Sequence, residues 1–249
     1  MSSLSETVLP ERPRTAAILV AAFLGFLGGQ IMAMILEIVV VYITHFHGGL
    51  DQLSRALSPP WWSNAVGLVG LWTGFAAAIY YAYAYGGLGN LASQWRPRPS
   101  DVAYVVLGVA CQLLVDALYW PFHLRHLDRP VTHLFGGARG TTFVLLVVMT
   151  TVLAPIIEEW LFRGVIYRAF SEGGARPQSP RSVAFAVIVS AGLFALAHGE
   201  PLQFVGLALL GVVLAWLVHR TQRLVPSIVT HISFNAVAVI ALIVQRSGH

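Results

Sequence analysis

Long apolar runs alternate with short polar segments along the whole chain. A helix that crosses a bilayer needs about 20 mostly apolar residues, and seven runs reach or nearly reach that length. These runs cover residues 16–44, 62–85, 101–122, 141–170, 182–199, 202–219 and 225–245. Backbone groups in lipid must be satisfied within their own segment, and no run shows the period of two of a barrel strand. The pattern therefore predicts an all-α fold, a polytopic transmembrane helix bundle of about seven spans (six to eight).

The segments between the runs have the composition of loops. Gly, Pro and polar residues, which are typical of turns, fill 86–100, 171–181 and 198–201. A polar N-terminal segment, 1–15, precedes the first run. That run is too long for the apolar part of a signal peptide, so we interpret it as a retained span, with a cleaved signal peptide as the alternative. No tandem repeat is visible, and we predict a single integral membrane domain over 16–249.

Composition supports this interpretation and excludes some functions. The chain is 57% hydrophobic and only 10% charged, whereas an ordinary soluble domain carries about 25% charge. Every basic residue is an arginine, which suggests a genomic bias and a prokaryotic cytoplasmic (inner) membrane protein. The arginines are scattered between the apolar runs, more of them on the side of the N-terminus, so we expect that end inside and no nucleic-acid partner.

A few polar side chains fall inside the predicted spans. Such residues are costly in lipid and are functional candidates by default. They are Glu37, Asp116, Glu158, Glu159, Arg163, His198, His231 and Asn235.

The two adjacent glutamates of the fourth run are expected to differ. Glu159 and Arg163 are four residues apart, so they share a helix face and can form an ion pair. Glu158 lies about 100° around the helix and has only apolar residues four positions away. It must find its partner on another helix or in water, and His198 is the candidate. The alternative is that both glutamates belong to a structural ion cluster.

The histidines lie on two other runs. Phe194 and His198 are four residues apart, as are His231 and Asn235. Taken singly, His198 could be interfacial, and His231 with Asn235 could join two helices by hydrogen bonds. Counted from the span ends, the three candidate groups lie at different depths, so the spans must tilt or break for them to meet.

Together, these groups could form one buried polar pocket with two possible chemistries. Glu158 could act as a general base on a water that His198 orients, while His231 and Asn235 donate hydrogen bonds to an oxyanion. Alternatively, Glu158, His198 and His231 could bind zinc and leave one position for water. Either route hydrolyses an amide or ester within the membrane. The chain lacks the serine elbow G-x-S-x-G and the zinc motif H-E-x-x-H.

The three motifs resemble those of a known family. E-E-x-x-x-R at 158–163, F-x-x-x-H at 194–198 and H-x-x-x-N at 231–235 are similar to the motifs of the CAAX protease and bacteriocin-processing (CPBP, Abi) family of intramembrane endopeptidases, Rce1-like. The resemblance covers about 141–245. It implies that Glu158 and His198 activate water and that His231 and Asn235 stabilise the oxyanion. It also implies that Glu159, held by Arg163, supports the site, with Phe194 packed beside the histidine.

The resemblance implies an endopeptidase that acts on a membrane-associated protein or peptide in the lipid bilayer. Both metal-dependent and glutamate-dependent mechanisms are described for the family. We favour the mechanism without a metal cofactor, because Asn235 is a poor zinc ligand and a good oxyanion donor, and keep zinc as the alternative. Two other functions stay open: a non-enzymatic membrane immunity or partner protein on the same scaffold, and a small proton-coupled transporter that uses Glu37, Asp116 and Glu158.

Overall fold

A computed structural model describes residues 13–47, 49–55, 59–89, 94–122, 129–173 and 178–247. In this part of the chain, seven helices are long and apolar enough to cross a membrane, and we number them span 1 to span 7. They are Thr15–Ile43, Trp61–Ala84, Pro99–Phe122, Gly140–Gly173, Pro180–Ala197, Phe204–Thr221 and Val225–Ser247. The prediction of an all-α polytopic bundle is confirmed, and each observed boundary lies within three residues of the predicted one. Most of the predicted N-terminal segment falls on residues 1–12, outside the described residues.

Two short helices lie outside the spans and were not predicted. Gly49–Arg55 follows span 1, and Arg129–Phe135 precedes span 4. The Phe135 side chain is buried, and its backbone oxygen accepts a hydrogen bond from Arg246 at 2.9 Å. The second short helix is therefore fastened to the last turn of span 7.

Spans 1 and 2 pack backbone against backbone through small residues. A Cβ atom on Gly74 would collide with the backbone of Gly25, and one on Gly70 would collide with the backbone of Ala33. Within a bilayer, such close approach supplies the van der Waals contact that holds helices together, because lipid provides no hydrophobic drive. Both spans also contact span 4.

Span 4 is not a uniform α-helix. Its α-helical stretches are interrupted by two π-helical segments, Met149–Leu153 and Trp160–Tyr167, which lie on either side of the glutamate pair. The N–H of Ala154 bonds to the backbone oxygen of Met149, five residues back. With the same spacing, the oxygen of Thr150 would accept from the N–H of residue 155, but that residue is a proline and has no N–H. The oxygen of Thr150 is thus left open for another partner. Segments of π-helix are rare and often occur at functional sites.

The start of span 7 lies inside the protein. Arg223, just before it, forms two hydrogen bonds of 2.7 Å with Asp101 of span 3, and the hydrogen bonding raises the pKa of the Arg223 guanidinium. The backbone N–H of Leu224 bonds to the oxygen of Gln94, at 2.9 Å, so the 94–98 segment covers this end. His231, less than two turns into the helix, is therefore already buried in the protein, with its side chain 2% exposed.

Candidate active site

The three motifs meet around the buried ring of Phe194. The centroid of this ring lies 4.7 Å from that of His198 and 5.4 Å from that of His231, both in edge-on contact. The guanidinium carbon of Arg163 lies 4.5 Å from the centroid of Phe194. One aromatic side chain of span 5 thus contacts charged or polar groups from spans 4 and 7.

Glu159 lies in a fully buried ion cluster. Its Oε1 accepts a hydrogen bond from Arg163 at 2.8 Å, as the spacing of four residues predicts, and both side chains are 0% exposed. The same oxygen lies 3.1 Å from Nδ1 of His231, whose side chain is 2% exposed. Arg163 also donates to the backbone oxygen of Gly211 in span 6, at 3.1 Å. The cluster therefore joins spans 4, 6 and 7, which the sequence did not reveal.

Glu158 has a different environment. Its side chain is 16% exposed, and its Oε2 lies 3.8 Å from Nε2 of His231. That separation is too long for a hydrogen bond, and Oε2 has no hydrogen-bond partner. Glu159 is thus held through its Oε1 by Arg163 and His231, whereas Glu158 approaches His231 only at the longer distance. Oε2 of each carboxylate is buried and has no hydrogen-bond partner.

The histidine that faces Glu158 is His231, so the expectation that His198 would be its direct partner is not met. His198 follows the last turn of span 5, and its Nδ1 bonds to the backbone oxygen of Phe194 at 2.8 Å. Because a carbonyl only accepts, this Nδ1 carries a proton and Nε2 is left as the available nitrogen. The His198 side chain is exposed, unlike the buried His231.

Asn235 is held against span 4. Its Nδ2 donates to the backbone oxygen of Thr150 at 3.0 Å, the acceptor that Pro155 leaves open. A primary amide carries two N–H bonds, so one remains after this contact. The Asn235 side chain is half-buried, which leaves that second N–H able to meet a ligand.

Two side chains that the sequence analysis did not single out bind the second π-helical segment. Tyr83 of span 2 donates to the oxygen of Gly164 at 2.9 Å, and Ser190 of span 5 donates to the oxygen of Phe162 at 2.8 Å. A signal for Ser190 was present in the sequence, because Ser190, Phe194 and His198 repeat every four residues. Tyr83 has no comparable sequence signal.

The two other charged candidates lie elsewhere in the bundle. Glu37 accepts a hydrogen bond from Ser63 of span 2 at 2.6 Å. Asp116 is exposed and accepts from Gln112, one turn away on span 3, at 2.8 Å. Neither carboxylate shares a partner with Glu158.

The donors expected for zinc are not gathered into one site. Among the residues that the structure describes, no three His, Cys, Asp or Glu side chains lie together as a metal ion would require. Glu158 and His231 face each other, and the Nδ1 bonds of His231 to Glu159 and of His198 to a carbonyl leave Nε2 of each ring as the nitrogen that could ligate a metal.

The fold and the buried cluster define the class of protein: a helical integral membrane protein with a Glu, His and Arg site enclosed by its later spans. Residues 140–237 match the family model described as "Type II CAAX prenyl endopeptidase Rce1-like". That region contains all three motifs, so the resemblance is confirmed over it.

A curated relative aligns with part of the chain. "Putative membrane peptidase YdiL" of Bacillus subtilis (strain 168) is 27% identical over 96 residues, which are 39% of this chain and 36% of that protein. The chain therefore spans only about a third of that relative's length. No solved structure matches.

Proposed function

We propose that the protein is an intramembrane endopeptidase that hydrolyses a peptide bond in a membrane-associated protein or peptide. The observation that carries the proposal is the asymmetry of the two adjacent carboxylates. Glu159 is fully buried and bonded to Arg163 and His231, whereas Glu158 is 16% exposed and approaches His231 at 3.8 Å without a hydrogen bond. The match of residues 140–237 to a peptidase family supports it.

In this proposal Glu158 is the general base. Its carboxylate takes a proton from a water molecule, and the water oxygen attacks the carbonyl carbon of the scissile bond. The unprotonated Nε2 of His198 accepts a hydrogen bond from the second O–H of this water and so orients it. As the C–N bond breaks, the proton on Glu158 passes to the departing amine. The products are a carboxylic acid and an amine, and the site returns to its starting state.

His231 and Asn235 stabilise the negative oxygen of the tetrahedral intermediate. The Nδ1 proton of His231 is directed at Glu159, so its Nε2 faces the side of the site where Glu158 lies. A donor role for Nε2 beside the Nδ1 donor requires the doubly protonated ring. Asn235 contributes its second N–H. Donors already in place for a developing charge are worth about 10²–10³-fold in rate each.

The test is Glu158→Gln, which preserves size but removes the base. We expect cleavage to fall by at least about 10²-fold, in line with the loss of general-base catalysis, with unchanged membrane insertion and thermal stability. The purified protein in detergent would be assayed on fluorogenic peptides fused to a membrane anchor, with products identified by mass spectrometry. Glu172→Gln, on the same span and beside Arg168, is the matched control. Cleavage that survives Glu158→Gln at the control's rate would overturn the proposal.

Metal dependence is tested separately. Without a metal in the mechanism, dialysis against a chelator should leave the cleavage rate unchanged, and loss of activity that zinc restores would contradict this part of the proposal. The transporter alternative has less support, since Glu37 and Asp116 have separate partners. If the wild-type protein cleaves no substrate, the alternative of a membrane partner protein without peptidase activity is favoured.

A further inference from the structure

Three side chains of span 5 form a single stripe toward the site. Ser190, Phe194 and His198 are spaced by four residues, so they lie on one face of the helix. His198 is the exposed member at the end of the stripe, and Phe194 packs between Arg163 and the two histidines. Ser190 is 0% exposed and uses its hydroxyl outside its own helix.

The acceptor of that hydroxyl belongs to the helix that carries Glu158. Ser190 donates to the oxygen of Phe162 at 2.8 Å, and Phe162 lies four residues after Glu158 on span 4. The rings of Phe162 and Phe194 pack edge to face with centroids 5.4 Å apart. A polar bond and an aromatic contact therefore link the same two helix faces, one turn from Glu158 on span 4 and one to two turns from His198 on span 5.

The local geometry makes this bond specific. Phe162 lies in the π-helical segment Trp160–Tyr167, where backbone oxygens bond the residue five positions on. An apolar side chain at 190 could pack there but would leave the bond between the two spans unmade. The Ser190 hydroxyl thus bonds one particular turn of span 5 to one particular turn of span 4.

We propose that Ser190 is a positioning residue: its bond to the Phe162 carbonyl sets the register of span 5 against span 4 and thereby places His198 relative to Glu158. The inference rests on the proposed peptidase function for its catalytic consequence, although the register itself does not. A displacement of about 1 Å in a reacting group can lower a rate by about 10²-fold. Ser190 itself touches neither water nor substrate in this scheme.

Ser190→Ala tests the catalytic consequence. We expect kcat to fall at least about tenfold, in keeping with the effect of a misplaced catalytic group, while KM changes less than twofold. Ser171→Ala is the matched control, because Ser171 is also 0% exposed but its hydroxyl bonds within span 4, to the backbone oxygen of Arg168. A kcat for Ser190→Ala equal to that of the control would overturn the inference.

A distance measurement tests the register without any substrate. Nitroxide labels at the exposed positions Leu153 and Leu196, with the native Cys111 replaced by Ala, report on the separation of spans 4 and 5 by pulsed electron resonance. Ser190→Ala should shift or broaden the distance distribution, and Ser171→Ala should not. An unchanged distribution refutes the positioning role even if wild type proves to cleave nothing, a result that would refute the peptidase function alone.

Discussion

Replacing Glu159 by Gln removes the negative charge that faces the buried Arg163. The two side chains are 0% exposed and 2.8 Å apart, so no water screens the remaining guanidinium. Glutamine has nearly the same shape, and its oxygen can still accept from Arg163 and His231. The substitution therefore isolates the charge and leaves the packing and most of the hydrogen bonds in place.

The expected loss of stability is large for a substitution that replaces one side-chain oxygen by nitrogen. Breaking a buried ion pair by removing one partner costs about 3–5 kcal/mol, because the other charge stays buried. Arg163 keeps the face of Phe194 at 4.5 Å and the oxygen of Gly211 at 3.1 Å, and such a cation–π contact contributes about 0.5–2 kcal/mol. We therefore expect Glu159→Gln to lower the free energy of unfolding by about 3 kcal/mol, toward the lower end of the range for buried pairs.

Span 4 offers a matched comparison. Arg168 and Glu172 have the same spacing and the same 2.8 Å separation, but their side chains are 13% and 28% exposed. Pairs open to solvent contribute about 0–1 kcal/mol, so Glu172→Gln should be nearly neutral. Burial, rather than distance or sequence spacing, is then the variable that separates the two results.

The measurement is equilibrium unfolding in mixed detergent micelles, followed by far-UV circular dichroism. A Glu159→Gln protein as stable as Glu172→Gln would refute the argument that an uncompensated charge remains buried. A second comparison tests the same argument. The double variant Glu159→Leu with Arg163→Met should be more stable than Glu159→Gln, because it buries no unpaired charge.

Two further predictions concern the rest of the bundle. Asp101→Asn should destabilise the protein by about 3–5 kcal/mol in the same unfolding measurement, since Arg223 is nearly buried and loses its carboxylate partner, and a change no larger than that of Glu172→Gln would contradict this. Gly74→Val should separate spans 1 and 2 and reduce the monodisperse fraction on size-exclusion chromatography, because its Cβ would collide with the backbone of Gly25. Gly28→Val is the control, since a Cβ there meets open space, and equal behaviour of the two variants would argue against close packing of the two spans.

The local parts of the site could be predicted from the sequence. The ion pair of Glu159 with Arg163 follows from a spacing of four residues on one helix, and the structure confirms it. The partner of Glu158 could not be predicted in the same way, because it depends on how span 7 lies beside span 4. His198 was expected there, and the structure instead places Nε2 of His231 3.8 Å from Glu158.

The non-local bonds had weak or no sequence signals. The bond from Asn235 to the Thr150 oxygen depends on a π-helical register whose open acceptor appears only once Pro155 is placed in it. The pair of Arg223 with Asp101 joins residues that are far apart in the chain, and each alone reads as an ordinary loop or helix-end charge. Such contacts follow from the packing of whole helices.

The sequence by itself determined the class of fold and the inventory of polar groups. A bilayer requires about 20 apolar residues for each helix, so length and hydropathy define the spans with few alternatives. The tertiary structure decided which of two adjacent carboxylates is fully buried in an ion pair and which is partly exposed. That difference arises because helix rotation, two π-helical segments and the buried start of span 7 together set what faces each side chain, and none of these is encoded in the spacing of one segment.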